Sequence, residues 1–269
     1  MRLDLALVER GLARSRNHAA SLIDSDRILI NGKAARKASQ PVEDDAQIVA
    51  LEAVDYVSRA GHKLAKALDK FAEIDLVGKT ALDVGASTGG FTDVLLRRGV
   101  ERVFAIDVGH DQMVQELVDN PRVISIEGFN ARDLTLATLS QLSRVAEKDI
   151  RIDVVVGDLS FISLTLVMKQ MLAVAPNAEF VLLVKPQFEV GKQSLSAHGL
   201  VTDHRLRAGA IKQVAEEAAS LGMGIRGLER SELPGTHGNI EYVLWISANE
   251  PVNQSKWTDR IEAIAKESK

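Results

Sequence analysis

Short apolar runs recur along residues 81–246 and alternate with longer segments in which apolar residues follow a helical spacing. Continuous apolar runs are typical of parallel strands that helices cover on both faces, because such strands have no polar side. The pattern therefore predicts an α/β fold with a seven-stranded, mostly parallel, Rossmann-like sheet. The predicted strands are residues 81–84, 103–106, 123–126, 152–156, 180–184, 223–228 and 241–246.

The N-terminal region has a different pattern. Apolar residues at helical spacing within residues 3–12 predict one helix, and Ser15 is placed to cap a second one. The apolar run 28–30 leads into Asn31-Gly32, which is a strong signal for a two-residue hairpin, and residues 48–51 form a later apolar run. Two short helices and a small hairpin predict a compact α+β domain.

Positive charge is concentrated in this region, although the net charge of the whole chain is −4. Residues 1–37 contain eight basic and four acidic residues, so they carry +4 and the remainder carries −8. A basic surface on an acidic protein is typical of nucleic-acid binding, although a merely solvated basic face would have the same composition. The candidate binding residues are Arg2, Arg14, Arg16, Arg27, Lys33, Arg36 and Lys37.

The basic character ends within residues 41–55, which contain five acidic residues and no basic one. We place the domain junction near residues 51–58, where composition and pattern change together. The predicted domains are residues 1–55 and residues 56–269.

Several classes of protein are excluded by composition. No apolar run approaches the roughly 20 residues of a membrane-spanning helix, and the N-terminus lacks the apolar core of a signal peptide, so we expect a cytoplasmic protein without a membrane partner. The chain has no cysteine, and its six histidines show no metal-ligand spacing. We therefore expect no metal site.

The stretch from Asp83 to Phe91 is the clearest candidate for ligand binding. Small residues follow a predicted strand and precede a helix, so a ligand can approach the backbone N–H groups there. The stretch lacks the lysine of a phosphate-binding P-loop, and its Gly-x-x-x-Gly-Gly spacing departs from the dinucleotide fingerprint. The candidate cofactor-binding residues in it are Asp83, Gly85, Ala86, Ser87, Thr88, Gly89, Gly90 and Phe91.

S-adenosylmethionine fits this stretch because it carries an ammonium, a sulfonium and a ribose diol but no phosphate. Asp107 ends the next predicted strand, 24 residues after Asp83, a spacing that suits an acid gripping ribose hydroxyls. Asn130 lies in a candidate adenine-side loop, and residues 190–203 form a long polar segment that could close over a substrate. A purely structural strand-to-helix turn is the alternative at this point.

Chemically active residues also follow other predicted strands. Asp158 comes after the fourth strand and Lys185 after the fifth. In an open α/β sheet, the carboxyl ends of parallel strands meet at one crevice. Asp83, Asp107, Asp158 and Lys185 are therefore expected around a single site. Lys63, near the start of a predicted helix, would by itself be interpreted as an exposed, solubilising lysine.

The N-terminal region resembles the small RNA-binding domain called the S-four (S4) domain. The resemblance depends on Arg2-Leu3-Asp4, Arg14-Ser15-Arg16, residues 19–23 and Ile28-Leu29-Ile30-Asn31-Gly32-Lys33. It implies that RNA is the nucleic acid bound by this basic surface.

The chain as a whole resembles the hemolysin-A-like (TlyA-type) rRNA 2′-O-ribose methyltransferases, which join an S-four domain to an FtsJ/RrmJ-like methyltransferase domain. The motifs that carry the resemblance are SRAGHKL at 58–64, DVGASTGGFTD at 83–93, DLSFIS at 158–163, VKPQFE at 184–189 and GNIE at 238–241. The resemblance implies a catalytic tetrad of Lys63, Asp158, Lys185 and Glu241, with Asp158 also at the cofactor. It implies S-adenosylmethionine as cofactor, rRNA or ribosomal subunits as partner and cytidine as target, and Arg59 joins the candidate RNA-binding residues.

The residue types suit this chemistry. A ribose 2′-hydroxyl is a weak nucleophile, so an enzyme must align it with the activated methyl group and manage one proton. Lys185 is the best candidate for that task, either as a neutral base or as a charged orienting group. Two other functions stay open from sequence: a membrane-active hemolysin, and a non-catalytic RNA-binding protein on a methyltransferase scaffold.

Overall fold

A computed structural model of the chain describes residues 1–24, 27–43, 45–50, 56–235 and 238–267. The chain divides into two compact units, Met1–Asp55 and Tyr56–Lys269. Residues 51–55, within the junction that the sequence predicts, lie outside the described residues. In the part that is described, no helix is long and apolar enough to cross a membrane.

The N-terminal unit contains the predicted helix pair and hairpin. The backbone N–H of His18 donates to Ser15 Oγ at 3.2 Å, which is the expected helix cap. Asn31 and Gly32 both have positive φ, 49° and 78°, as a tight hairpin turn requires. The elements are α1 (Leu3–Glu9), α2 (Arg16–Asp24), β1 (Ile28–Ile30), β2 (Lys33–Ala34) and β3 (Ile48–Ala50), with sheet order β2-β1-β3.

The first helix is shorter than predicted, because it ends at Glu9 and not at residue 12. Gly11 has a φ of 69°, and the N–H groups of Leu12 and Ala13 both donate to the carbonyl of Leu7. This left-handed glycine turns the chain away from the helix while its last carbonyls stay paired. Leu12 still packs against the core of the unit, so its apolar character reflects burial and not helix length.

The C-terminal unit is built on a seven-stranded sheet with the order β6-β5-β4-β7-β8-β10-β9. The five strands from β6 to β8 in this order pair in parallel, while β10 runs antiparallel to both β8 and β9. The strands are β4 (Thr80–Val84), β5 (Arg102–Ile106), β6 (Val123–Ile126), β7 (Val154–Gly157), β8 (Glu179–Val184), β9 (Gly224–Arg230) and β10 (Tyr242–Ser247). The helices are α3 (Arg59–Lys70), α4 (Gly90–Arg97), α5 (Gln115–Val118), α6 (Leu136–Ser143), α7 (Met168–Val174), α8 (Pro186–Glu189), α9 (His204–Ser220) and α10 (Thr258–Lys266).

Both faces of this sheet are buried, which confirms the α/β fold class. Leu82 and Val84 of β4 point to one apolar core, and Ala81 points to the other. The strand predicted at 152–156 begins two residues later, at Val154. Asp153 precedes it and accepts a hydrogen bond from the N–H of Thr80 at 3.0 Å, so this polar residue forms the turn into the strand.

The sheet topology concentrates polar residues at one edge. The strand order reverses between β5-β4 and β7-β8, and ligands bind outside the carboxyl ends of strands at such a switch point. Because β10 is antiparallel, its first residue, Tyr242, pairs with Val184, the last residue of β8. Glu241 therefore reaches the same edge as Lys185, although it precedes its strand and Lys185 follows one.

Candidate active site

The loop from β4 to α4 has an unusual backbone that opens it to a ligand. Gly85, Ser87 and Gly89 have positive φ values of 84°, 47° and 94°, alternating with residues outside the left-handed region. Such alternation turns successive N–H groups toward one concavity. A Cβ on Gly85 would lie 3.2 Å from the carbonyl oxygen of Asp158, so this glycine also allows the β4 and β7 loops to approach each other.

Asp83 lies beneath this loop and is completely buried. Its Oδ2 accepts a 2.7 Å hydrogen bond from Thr92 Oγ1, while Oδ1 has no hydrogen-bond partner among the described residues. Burial raises the pKa of Asp83 to about 7; the Thr92 hydrogen bond opposes that rise, and the nearby Asp158 and Asp107 carboxylates add to it.

A cavity of about 600 Å³ lies beyond the carboxyl ends of β4, β5 and β7. Its volume falls within the range of small-molecule sites. Asp107 lies at its rim and accepts hydrogen bonds from the N–H groups of Ser87, at 2.8 Å, and Gly109, at 2.7 Å. Each carboxylate oxygen keeps a further lone pair, so both can still accept from a ligand hydroxyl.

The predicted cofactor residues divide between this cavity and its surroundings. Five of them line it, namely Gly85, Ser87, Asp107, Asn130 and Asp158. Four others, Ala86, Thr88, Gly90 and Phe91, line an adjoining cavity of about 70 Å³ that Gly85, Ser87 and Asp158 also border. Asp83 and Gly89 line neither cavity: Asp83 is buried and accepts a hydrogen bond from Thr92 of α4, and Gly89 is the N-cap residue of that helix.

Four charged side chains form two ion pairs at the same edge. Lys185 Nζ lies 2.6 Å from Asp158 Oδ1 and donates to Ser160 Oγ at 2.9 Å. Lys63 Nζ donates to Glu241 Oε2 at 2.5 Å. The side chains of Lys63, Lys185 and Glu241 are at most 10 % exposed, so the structure excludes an exposed, solubilising Lys63.

Lys63 is buried because its helix packs closely on the loop from β4 to α4. A Cβ on Gly61 would lie 2.9 Å from the carbonyl oxygen of Gly90, and one on Gly90 would lie 2.1 Å from Ser58 Oγ. The start of α3 and the start of α4 therefore meet through two glycines. This close crossing places Lys63 on the buried face of α3.

Aromatic rings border the Lys185–Asp158 ion pair. Lys185 Nζ lies 5.9 Å from the centre of the Phe188 ring, and that ring is 5.1 Å from the ring of Phe161. Phe161 is 91 % exposed and has a φ of 64°. A large apolar residue whose side chain is exposed and whose backbone is in the left-handed region is unusual, which indicates a functional constraint.

The basic residues of the N-terminal unit differ in their surroundings. Asp4 is buried and pairs with Arg2 Nη2 at 2.9 Å and Arg16 Nη2 at 3.0 Å. The hydrogen bond from Arg2 and the second guanidinium hold the pKa of Asp4 below its usual range. These two side chains remain about half exposed; Arg14, Lys33, Arg36 and Lys37 are exposed, while Arg27 is half-buried. Arg59, in the other unit, is half-buried.

Comparison with known proteins decides the family. Residues 56–248 match the FtsJ-like methyltransferase family, and residues 1–48 match the S4 domain. The chain is 45 % identical over 248 residues to the 16S/23S rRNA (cytidine-2′-O)-methyltransferase TlyA of Mycobacterium tuberculosis, covering 91 % of this chain and 89 % of that one. The chain belongs to the TlyA-type, hemolysin-A-like family of FtsJ-like methyltransferases.

Two further relatives agree with this assignment. Hemolysin A of Brachyspira hyodysenteriae is 37 % identical over 244 residues, which cover 90 % of this chain and 98 % of that protein. The solved structure of a Streptococcus thermophilus protein described as a hemolysin aligns with a TM-score of 0.74 at 30 % identity, covering 98 % of this chain and 94 % of that one. The methyltransferase fold and the N-terminal S-four domain expected from sequence are therefore confirmed.

For several residues near the site, the sequence alone predicts no function. Ser160, Phe161, Gln187 and Glu189 all lie in the two motifs that deliver Asp158 and Lys185. Gln187 Nε2 donates to Glu241 Oε1 at 3.3 Å, which links Lys185's loop to the Lys63 pair. Their position in the same motifs as Asp158 and Lys185 was the only sequence feature that could have indicated a function. Which of them contact the site is seen only in the structure.

Proposed function

We propose that this protein transfers a methyl group from S-adenosylmethionine to a ribose 2′-hydroxyl of rRNA, with cytidine as the target nucleotide. One observation carries the proposal: Asp158 lines the 600 Å³ cavity and also pairs with Lys185 at 2.6 Å. A methyl donor in that cavity and a hydroxyl held by Lys185 would then lie on either side of the same carboxylate. The rRNA (cytidine-2′-O)-methyltransferase activity for which the Mycobacterium tuberculosis relative is named supports the choice of substrate.

The cavity residues fit S-adenosylmethionine. Asp107 offers carboxylate lone pairs for a ribose diol, and the small loop residues leave backbone N–H groups accessible. Leu159, Ile162 and Phe129 give apolar walls that suit an adenine ring. Asp107 and Asp158 place carboxylates on the cavity wall, which favours a cationic cofactor over a phosphate-bearing one. When bound, the cofactor supplies an electrophilic methyl group on its sulfonium.

Lys185 is the residue that we assign to the 2′-hydroxyl. Its Nζ is fixed by Asp158 and Ser160, so the remaining donor direction is predefined and little reorganisation is needed on substrate binding. With a carboxylate 2.6 Å away, an ammonium on Lys185 would have its counter-ion in place. It would then orient the 2′-oxygen while the oxygen–methyl bond forms, the sulfonium–methyl bond breaks and the hydroxyl proton leaves to solvent. The Lys63–Glu241 pair lies at the same edge and completes the tetrad.

Phe161 suits the base of the target nucleotide. Its ring lies beside Phe188 at the mouth of the site and is almost fully exposed. Enzymes that modify single nucleotides stack the exposed base on aromatic side chains. Phe161 would then hold the base while Lys185 holds the sugar.

The N-terminal unit would bind the surrounding RNA through Arg14, Lys33, Arg36, Lys37 and the half-exposed Arg2 and Arg16. Phosphate contacts release counterions, so this binding should depend on salt. Replacing Lys33, Arg36 and Lys37 together by glutamine should reduce the slope of log K against log salt by about 2 to 3. The matched control replaces the exposed Lys148, Lys256 and Lys266 by glutamine. Its slope should equal that of the wild-type protein.

The activity itself is tested with purified full-length protein, labelled S-adenosylmethionine and isolated small and large ribosomal subunits. We expect label in rRNA, and ribose mapping of the product should place it on the 2′-oxygen of cytidine. Label on a base or on protein, or none with either subunit, would contradict the proposed function.

A further inference from the structure

Glu189 is a buried carboxylate near the site for which the proposed reaction has no use. It ends α8 and is 8 % exposed. Its Oε2 accepts from Ser163 Oγ at 2.5 Å, and its Oε1 accepts from the N–H of Leu164 at 3.0 Å. Burial raises the pKa of Glu189, although these two hydrogen bonds oppose the rise. Because both oxygens of this buried carboxylate accept hydrogen bonds from one loop, Glu189 fixes that loop to the end of α8.

These contacts form a second connection between two loops that already meet at the catalytic pair. Lys185, which precedes α8, holds the beginning of the β7 loop through Asp158 and Ser160. Glu189, at the other end of α8, holds the continuation of the same loop. The single turn of α8 is closed by backbone hydrogen bonds of 2.9 Å from Phe188 N to the Lys185 carbonyl and from Val190 N to the Pro186 carbonyl. The two connections are therefore joined by a short, internally bonded spacer.

Phe161 lies between the two connections along the β7 loop, and Phe188 lies between them along α8. The left-handed φ of 64° at Phe161 costs free energy and persists only where the surroundings impose it. Leu164 is itself buried in the core, so without Glu189 it is residues 161–163, between Ser160 and Leu164, that would lose their hydrogen-bonded support, and Phe161 could relax to an ordinary conformation. With both connections, the loop has fixed ends and its aromatic residue is held outward.

We propose that Glu189 is a positioning residue for methyl transfer: through Ser163 and Leu164, it holds the 158–164 loop so that Asp158 meets Lys185 and Phe161 stays beside Phe188. This inference deepens the proposed function and rests on it for its kinetic part. Glu189 does not touch the reacting groups and acts through the loop alone.

The kinetic test uses full-length protein and single-turnover transfer from labelled S-adenosylmethionine to ribosomal subunits. Glu189→Ala should lower the rate by about tenfold or more, because misplacement of a catalytic group has effects of this size or larger. Glu189→Gln should stay within about threefold of wild type, since its amide oxygen can accept from Leu164 and its NH₂ can donate to Ser163. Ser163→Ala removes one of the same contacts together with the hydrogen bonds between Ser163 and Thr165, so the rate loss of the double variant with Glu189→Ala should be smaller than the two single losses combined.

The matched control is Asp153→Ala. Asp153 also accepts a hydrogen bond from a backbone N–H, that of Thr80, but it precedes β7 at the opposite edge of the sheet. Its replacement should lower the melting temperature and leave the single-turnover rate within about twofold. Equal loss of rate in both variants would mean that stability alone explains Glu189.

Hydrogen exchange separates this inference from the proposed function. In Glu189→Ala, amides of residues 158–166 should exchange at least about tenfold faster, with the rest of the sheet unchanged; Glu189→Gln and Asp153→Ala should show no such local effect. If wild-type protein methylates no rRNA, the proposed function fails, and exchange still decides whether Glu189 holds the loop. Unchanged exchange at 158–166, or a near wild-type transfer rate in Glu189→Ala, would overturn the inference. Should Glu189→Ala not fold, Ser163→Ala provides the same comparison.

Discussion

Lys63 and Glu241 are separated by 178 positions in the chain, and their side chains meet at 2.5 Å in a buried ion pair. Lys63 comes from α3, which precedes the sheet, and Glu241 comes just before the antiparallel strand β10. Their contact connects the first helix of the methyltransferase unit to its last strands, at the same edge of the sheet as the Lys185–Asp158 pair.

Because both charges of this ion pair are buried, single and double substitutions at Lys63 and Glu241 should change the free energy of unfolding by different amounts. Lys63→Met leaves Glu241 buried without its counter-ion and should lower the free energy of unfolding by about 3 kcal/mol or more. The double variant Lys63→Met/Glu241→Gln removes both charges and should recover more than half of that loss, while single-turnover transfer stays low. Urea denaturation measures the stabilities. The surface pair Lys212 and Glu262 is the control, where Lys212→Met should cost about 1 kcal/mol or less. Strictly additive losses at Lys63 and Glu241 would contradict the account.

The raised pKa of Asp83 predicts how the free energy of unfolding of the cofactor-free protein depends on pH. The unfolded carboxyl ionises near its ordinary pKa of 3.8, whereas burial raises the native pKa to about 7. Between these values the native state binds a proton that the unfolded state has released, so stability falls as pH rises through this window and then levels off. Between about pH 5.5 and about pH 8, wild type should lose about 2 kcal/mol more than Asp83→Asn. Denaturation curves with parallel pH dependence in both proteins would remove Asp83 as the cause.

Asp107 tests the cofactor site. Asp107→Ala removes the carboxylate that accepts hydrogen bonds from the N–H groups of Ser87 and Gly109 and would also accept them from the ribose diol. The affinity for S-adenosylmethionine should fall by about 1–3 kcal/mol, as for other lost hydrogen bonds to a charged group. Calorimetry measures it, with the exposed Glu116→Ala as a charge-matched control. Tighter binding of NAD or ATP than of S-adenosylmethionine by wild type would show that the cofactor is misassigned.

Phe161 tests the position of the target base. Phe161→Ala should weaken productive RNA binding by about 1–3 kcal/mol, the scale of stacking one base on an aromatic ring, and Phe161→Trp should preserve it. The half-saturating concentration of ribosomal subunits in single-turnover transfer gives this value. Val77, which is 72 % exposed and precedes β4, provides the control Val77→Ala. Equal behaviour of Phe161→Ala and Val77→Ala would leave Phe161 without a role in binding RNA.

The sequence predicts the sheet well because its strands are apolar on both faces and end at recognisable small or charged residues. Asp107, Asp158 and Lys185 could be placed at one edge from topology alone, since parallel strands share their carboxyl ends. Lys63 could not, because its burial depends on the close crossing of Gly61 and Gly90, which no local pattern reveals. The contacts of Phe161 and Glu189 could not be predicted either, because each joins two loops that are distant in the sequence. The spacing of charged residues predicts where groups gather but not which of them pair.

Lys185→Ala is the most direct test of the central claim that Lys185 and its partners perform methyl transfer. The measurement is single-turnover transfer of labelled methyl to ribosomal subunits, with melting temperature and S-adenosylmethionine affinity recorded on the same protein. We expect the transfer rate to fall by about 10²-fold or more, the usual scale for a positioned acid–base group, while cofactor and RNA affinities change little. A folded, cofactor-binding Lys185→Ala protein that methylates at near wild-type rate would contradict this account.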